Sequence, residues 1–72
     1  MKKVYRMQDL ECANCAVKME EAIRKLPGVE AVSISFIAQK MTIETSDQDH
    51  ERIMQEAAKC CRKFEPDCRI LF

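Results

Sequence analysis

Residues 32–44 read VSISFIAQKMTIE, two alternating segments on either side of a short turn at Ala38 and Gln39. Within each segment, VSISF and MTIE, apolar and polar side chains alternate along the chain, which is the two-residue period of half-buried strands. Because so few residues separate the segments, the sequence predicts a β-hairpin here. The side chains predicted to face the core are Val32, Ile34 and Phe36 in the first strand and Met41 and Ile43 in the second.

Outward from the hairpin, each side of the chain carries an amphipathic helix. The upstream helix is predicted over residues 13–26, where Cys15, Met19, Ile23 and Leu26 recur at helical spacing and form one apolar stripe. The following Pro-Gly pair ends it, because proline cannot continue the hydrogen-bond ladder and glycine tolerates the turn.

The downstream helix is predicted over residues 48–60, with Ser46 or Asp47 as its cap. A first strand, residues 4–8, and a last strand, residues 68–72, complete the pattern. The order is strand, helix, strand, strand, helix, strand. Two helices on one face of a four-stranded antiparallel sheet bury every apolar stripe, so the predicted fold is α+β, a ferredoxin-like β-α-β-β-α-β sandwich. Residues 1–72 are expected to form a single domain.

Composition narrows the classes of function. The chain has 72 residues, with 12 basic and 12 acidic side chains, so it lacks the basic stripe that nucleic-acid binding requires. It also lacks an apolar run of the roughly 20 residues that span a bilayer. An odd count of five cysteines cannot pair completely within one chain, which favours metal or redox chemistry in a reducing compartment. We therefore expect a cytoplasmic location.

A Cys-x-x-Cys pair, Cys12 and Cys15, lies where a loop enters the first predicted helix. Thiolates bind metal, and the unpaired N–H groups and partial positive charge at a helix N-terminus favour the ionised sulfur. The two-residue gap lets both sulfurs reach one ion. Thiol-disulfide oxidoreductases of the thioredoxin class use the same motif, but this chain is short for that fold. The pair indicates a soft or borderline metal ion, with redox chemistry as the alternative.

Three segments together resemble the heavy-metal-associated domain, a family that includes copper chaperones and the N-terminal domains of metal-exporting P-type ATPases. These segments are Leu10–Ala16, Leu26–Val29 and Val32–Phe36. The resemblance covers almost the whole chain. It implies a ferredoxin-like fold in which Cys12 and Cys15 hold the metal at one edge.

The residues just before the cysteine pair bear on the choice of metal. Leu10 stands where the family usually has an apolar anchor beneath the loop, and Asp9 stands where glycine is common. Copper-handling members usually carry Thr or Ser before the first cysteine. This chain carries Glu11, and the zinc/cadmium/lead-exporting ATPases that it resembles have an acidic residue at that point.

The charge of Glu11 favours a divalent ion. Two thiolates already outweigh the charge of Cu(I), and another anion about 4 Å away adds about 4 kcal/mol of repulsion at an effective dielectric constant of 20. A carboxylate with two thiolates suits Zn(II) or Cd(II) better. The predicted cargo is therefore Zn(II), Cd(II) or Pb(II), held by Cys12, Cys15 and Glu11, with Cu(I) as the alternative.

Two adjacent cysteines near the end of the second helix are further candidate ligands. The resemblance places the segment after this helix beside the metal loop, so Cys60 or Cys61 would complete a site of three or four sulfurs. The competing interpretation packs one of them on the core stripe and leaves the other exposed. Cys68 falls on the inward face of the last strand and is predicted to be core, while His50 is predicted to be a surface residue.

The combined prediction is a domain that binds a divalent heavy-metal ion and transfers it to, or regulates, a metal-exporting P-type ATPase, in cis or in trans. The chain shows no phosphate-binding loop or catalytic set, so we do not expect an enzyme. A Cu(I) chaperone, a thiol-disulfide oxidoreductase and a mercury carrier are the alternatives. We expect a monomer without nucleic-acid partners or direct membrane contact, and a metal-bridged dimer stays open.

Overall fold

A computed structural model describes residues 1–72 apart from the side chain of Asp47. The elements in chain order are β1 (Lys2–Gln8), α1 (Ala13–Arg24), β2 (Val29–Ser35), β3 (Lys40–Thr45), a 3-10 turn (Asp47–Asp49), α2 (His50–Phe64) and β4 (Arg69–Leu71). The strands lie in the order β2-β3-β1-β4, and every neighbouring pair is antiparallel. The predicted ferredoxin-like sandwich is confirmed.

The largest boundary differences lie in the second half of the chain. Helix α2 begins at His50 because Asp47–Asp49 forms a 3-10 turn, and it continues to Phe64, beyond the predicted end at residue 60. Within the described part, Ser46 precedes that turn but makes no side-chain capping hydrogen bond. The alternative cap, the side chain of Asp47, lies outside the described residues.

The core lies between the sheet and the two helices. Apolar side chains of both helices and of β3 are excluded from solvent there, and they include Met19, Ile23, Met41, Ile43 and Ile53. The register pairs Val32 with Ile43 and Ile34 with Met41, as the predicted hairpin requires. Phe36 departs from its predicted core position and is 37% exposed, because β2 ends one residue earlier and leaves it in the turn. Across the described residues, neither helix is long and apolar enough to cross a membrane.

His50 is buried rather than on the surface, with only 8% of its area exposed. Its Nε2 lies 2.6 Å from the Tyr5 hydroxyl, and its Nδ1 lies 2.6 Å from Oγ1 of Thr45. Two hydroxyl groups can each donate or accept, so they satisfy both ring nitrogens of either tautomer. The imidazole therefore joins β1, β3 and the start of α2, which explains why it can be buried.

The outer edge of the sheet is occupied by a side chain of α1. Strand β2 is an edge strand, and the backbone N–H of Ile34 donates to Oε2 of Glu20 at 2.9 Å. Arg24, one helical turn further on, donates to Oε1 of the same carboxylate at 2.8 Å. The pair of contacts fixes the carboxylate of Glu20 against the edge of β2.

Gly28 occupies a position where a side chain would be strained. Its φ is +92°, and a Cβ placed there would lie 2.7 Å from Cδ1 of the buried Ile53. We expect Gly28→Ala to lower the free energy of unfolding by about 2 kcal/mol, since it combines left-handed backbone strain with overpacking. Urea denaturation followed by circular dichroism measures this change.

The control is Ile53→Val, which removes Cδ1 alone. If the Cβ contact contributes, the double variant should lose less stability than the sum of the two single changes. Strict additivity would show that the Cβ contact has no part in the effect.

Candidate metal centre

Three connections meet at one end of the sheet. The loop before α1 is held on one side by Gln39 of the β2–β3 turn, whose side chain bonds both backbone polar groups of Leu10. On the other side, Glu65, which follows α2, accepts from the backbone N–H of Cys12 at 2.9 Å. The first cysteine of the pair is therefore positioned by residues far away in the sequence.

Cys12 and Cys15 lie at the N-terminus of α1, as predicted from the motif. Cys12 is the N-cap residue with extended backbone, and its Sγ accepts a hydrogen bond from the N–H of Cys15 at 3.1 Å. Both residues are half-buried, so solvent can reach the pair. A sulfur at the N-cap receives the partial positive charge of the helix end, which stabilises its thiolate form.

Glu65 completes a group of three metal-competent side chains. Among the described residues, Cys12, Cys15 and Glu65 form the one such group, with ligand atoms all within 4.8 Å of one another. Sequence reasoning missed Glu65, although the family resemblance had placed the segment after the second helix beside the loop. The sequence pattern points to the cysteines near the end of α2 and gives no sign that the carboxylate after the helix faces the loop.

Glu11 occupies a different place from the one predicted. In the described part of the chain, its carboxylate is not among the groups gathered around the sulfurs, and its side chain is exposed. Its backbone N–H instead donates to both carboxylate oxygens of Glu65, at 3.2 and 3.3 Å. Glu11 as a ligand stays a prediction.

Cys60 and Cys61 also lie outside the cluster that the described residues form. Cys61 is fully buried in the core, and this burial raises the pKa of its thiol to about 12. Cys68 is equally buried, as predicted, and its pKa is raised to about 11 for the same reason. Cys60 is half-buried, with its pKa also raised by burial. These thiols stay neutral, and the core position of Cys61 matches the competing interpretation of the sequence.

The two clustered thiols are electrostatically unequal. The pKa of Cys12 is lowered, chiefly by the hydrogen bond that the Cys15 side chain donates to it and then by the backbone of Cys15. The pKa of Cys15 is raised, chiefly because it donates that bond and then because of burial. The negative charge of Glu65 opposes ionisation of both thiols. A bound cation would remove this opposition and release the proton of Cys15.

Acidic side chains surround the approach to the pair. A cleft of about 590 Å³ beside the loop is lined by the carboxylates of Asp9, Glu11, Glu65 and Asp67, with Arg69 among them. A cleft lined mainly by one sign of charge concentrates counter-ions, and Glu65 belongs both to this lining and to the group around the sulfurs.

A sequence model of the heavy-metal-associated domain matches residues 4–62. The chain belongs to the heavy-metal-associated domain family. Members of this family are metal-binding modules, and the family resemblance seen in the sequence is confirmed.

Relatives of this chain include transporters that are much longer than it is. The cadmium-transporting ATPase of Staphylococcus aureus is 45% identical over 40 residues, which cover 56% of this chain and 6% of that protein. The cadmium, zinc and cobalt-transporting ATPase of Bacillus subtilis is 23% identical over 70 residues, covering 97% of this chain and 10% of that protein. This chain therefore spans a tenth or less of the length of these two relatives.

Solved structures show the same fold. The CopZ metallochaperone superposes with a TM-score of 0.73 at 10% identity and covers 99% of this chain and 100% of its own. The apo form of the N-terminal domain of the copper(I) ATPase PacS has a TM-score of 0.72 at 19% identity, covering 97% of this chain and 89% of its own. At such identities the likeness establishes architecture and leaves the metal open.

The hydrogen bonds at the pair predict an order of thiol reactivity. Because the pKa of Cys12 is lowered, its thiolate is more populated at pH 7, and iodoacetamide should alkylate it fastest in the reduced protein. Cys61 and Cys68 should react only after unfolding. Timed alkylation with peptide mass spectrometry measures each rate.

The matched variants are Cys15→Ala and Cys60→Ala. Removing the S–H donor at position 15 raises the pKa of Cys12 towards its ordinary value, so its alkylation at pH 7 should slow. The change at position 60 should leave Cys12 unaffected. An unchanged Cys12 rate in Cys15→Ala would contradict the role assigned to the side-chain hydrogen bond.

Proposed function

We propose that this domain binds Zn(II), Cd(II) or Pb(II) through Cys12, Cys15 and a carboxylate, and transfers the ion to a metal-exporting P-type ATPase or regulates one. The observation that carries the proposal is the carboxylate of Glu65 within 4.8 Å of both sulfurs at the mouth of α1. The 72 residues act as a single domain in the cytoplasm, either as part of the transporter or as a separate carrier.

The donor set favours a divalent cargo. Two thiolates and one carboxylate carry three negative charges, which a divalent ion reduces further than Cu(I) does. At separations of about 4 Å, each uncompensated pair of like charges costs about 4 kcal/mol at an effective dielectric constant of 20. Mixed sulfur and oxygen ligands are usual for zinc, whereas Cu(I) is selected by sulfur alone. The names of the bacterial relatives, which include cadmium and zinc transporters, agree with this choice.

Glu65 has the capacity to serve as the third ligand. Its Oε1 already accepts from the N–H groups of Cys12 and Glu11, while Oε2 makes only the longer contact at 3.3 Å with Glu11. An ionised carboxylate offers about four lone-pair positions. Oε2 can therefore turn to the ion while Oε1 keeps the loop in place. The predicted alternative, Glu11, would have to bring an exposed side chain around to the sulfurs.

An open site suits transfer. Three ligands on half-exposed side chains leave a coordination position that an acceptor's thiol can enter, so that the ion changes ligands stepwise and is never released bare. Closed four-ligand sites hold zinc structurally and lack this open position. Hydrolysis of ATP would belong to another part of a transporter or to a partner. The domain acts as a monomer, and a metal-bridged dimer is an outcome that titration would reveal.

The decisive experiment compares metals and carboxylates. The reduced protein and its Glu65→Gln and Glu11→Gln variants are titrated with Zn(II), Cd(II), Pb(II) and Cu(I) against chelators of known affinity. We expect Glu65→Gln to lower Cd(II) and Zn(II) affinity about 10-fold to 100-fold, as loss of a group that supports a metal site commonly does. Cu(I) affinity should change much less, because Cu(I) needs only the sulfurs.

Each alternative has its own result in this titration. Loss of Cd(II) affinity in Glu11→Gln alone would transfer the third-ligand role to Glu11. Equal losses of affinity for all metals, or no loss in either variant, would contradict a ligand role for the carboxylate and favour a Cu(I) chaperone. A protein that binds none of these ions but turns over a Cys12–Cys15 disulfide would be an oxidoreductase.

A further inference from the structure

We propose that Gln39 is the positioning residue of the metal loop. It holds the peptide groups of Leu10 so that Cys12 and Cys15 are presented in their binding arrangement. Gln39 lies in the β2–β3 turn and reaches Leu10 through its side-chain amide. The expected effect of Gln39 on metal affinity rests on the function proposed above, whereas its effect on the conformation of the loop does not.

The loop needs such a partner because β1 ends just before it. Strand β1 stops at Gln8, and Asp9 then turns the chain with a φ of +60°. The side chain of Leu10 is only 2% exposed, which draws its backbone towards the interior as well. Backbone N–H and C=O groups that leave water must find other partners, and the sheet no longer supplies them at this point.

Gln39 supplies both partners from one side chain. Its Oε1 accepts from the N–H of Leu10 at 3.2 Å, and its Nε2 donates to the C=O of Leu10 at 2.7 Å. A primary amide carries donor and acceptor in one plane, as a backbone peptide does. The side chain therefore continues the pairing of β1 beyond the end of the strand.

The amide is itself fixed in place. Nε2 donates a second hydrogen bond, at 2.7 Å, to the C=O of Phe36. The backbone of Gln39 has a φ of +55°, and its C=O accepts from the N–H of Met7 at 2.7 Å. Because Nε2 faces two carbonyl groups, the orientation of the amide is determined by its partners. Rotating it would break all of these side-chain contacts at once.

Gln39 and Glu65 hold the loop from opposite sides, and a bound metal ion would compete for the contacts of only one of them. Glu65 accepts from the N–H groups of Glu11 and Cys12, and an ion at the sulfurs would compete for its carboxylate. The contacts of Gln39 involve no charged group and no metal-competent atom. When Glu65 turns towards the ion, Gln39 is the anchor that remains, so its loss should weaken the bound state more than the free one.

The test uses Gln39→Met, which keeps the length of the side chain and removes both hydrogen-bonding functions. Gln39→Asn keeps the amide uncharged but shortens the side chain by one methylene, which withdraws it from both backbone groups of Leu10. Because Asn tolerates the positive φ of this position, it covers the case in which the first variant folds poorly. Gln55→Met, at an exposed position on α2, is the matched control. Four quantities are measured for each protein. They are the hydrogen-exchange rate of the Leu10 N–H, the free energy of unfolding without metal, and the Cd(II) affinity and release rate of the folded protein.

We expect both Gln39 variants to exchange the Leu10 N–H at least tenfold faster, bind Cd(II) about tenfold more weakly and release it faster, while Gln55→Met resembles the wild type. A tenfold change corresponds to about 1.4 kcal/mol, the scale of one or two net hydrogen bonds. If unfolding changes but Cd(II) affinity and release from the folded protein do not, Gln39 is merely structural and the inference is overturned. Unchanged Leu10 exchange overturns it as well.

The proposed function can fail separately. If the wild type binds no thiophilic ion, the metal proposal is lost, and the exchange rate of Leu10 still decides whether Gln39 holds the loop.

Discussion

Burial of Met19, Ile23 and Ile43 between the helices and the sheet is the constraint on which the site depends. These side chains fix α1 and α2 on one face, and the antiparallel order of the strands then brings three connections to the same end. The cysteine pair lies beside this core, with Cys15 packed against it and both residues half-buried. Its two sulfurs can therefore stay half-exposed at the end of a rigid helix, where ligand exchange needs no unfolding of the core.

The site brings acidic groups together in a conformation that supplies hydrogen-bond donors to them. Cys12 and Glu65 lie close together, and each is stabilised by backbone N–H groups, Cys12 by that of Cys15 and Glu65 by those of Glu11 and Cys12 itself. Hydrogen bonds to charged acceptors are stronger than those between neutral groups. Under the proposed function, these bonds order the loop before an ion arrives and so lower the ordering cost of binding.

Local patterns were sufficient for the fold and for the cysteine pair. Alternation in residues 32–44 and the apolar stripes of both helices depend on neighbours in sequence, so the hairpin and the order of elements could be predicted. The position of Cys12 and Cys15 follows from the start of α1 in the same way. Phe36, just past the end of β2, was assigned to the wrong environment because alternation does not show where a strand ends.

What could not be predicted depends on residues distant in sequence. Glu65 contacts Cys12 only because α2 continues to Phe64, beyond its expected end. The apolar periodicity of the helix does not show at which residue it ends. Burial of His50 depends on hydroxyl partners from two different strands, and a lone histidine among acidic residues offers no sign of them. Side-chain direction in a loop is likewise set by tertiary contacts.

The carboxylate of Glu20, held against the backbone of Ile34 by Arg24, has a consequence for the molecule among its own copies. An unprotected edge strand is a template on which a second chain can add, and natural proteins commonly block it with a charge. Here the guarding charge comes from a neighbouring helix rather than from the strand itself. A second strand that paired with β2 at Ile34 would first have to displace this carboxylate, so sheet extension at this point is opposed even when many copies are crowded together.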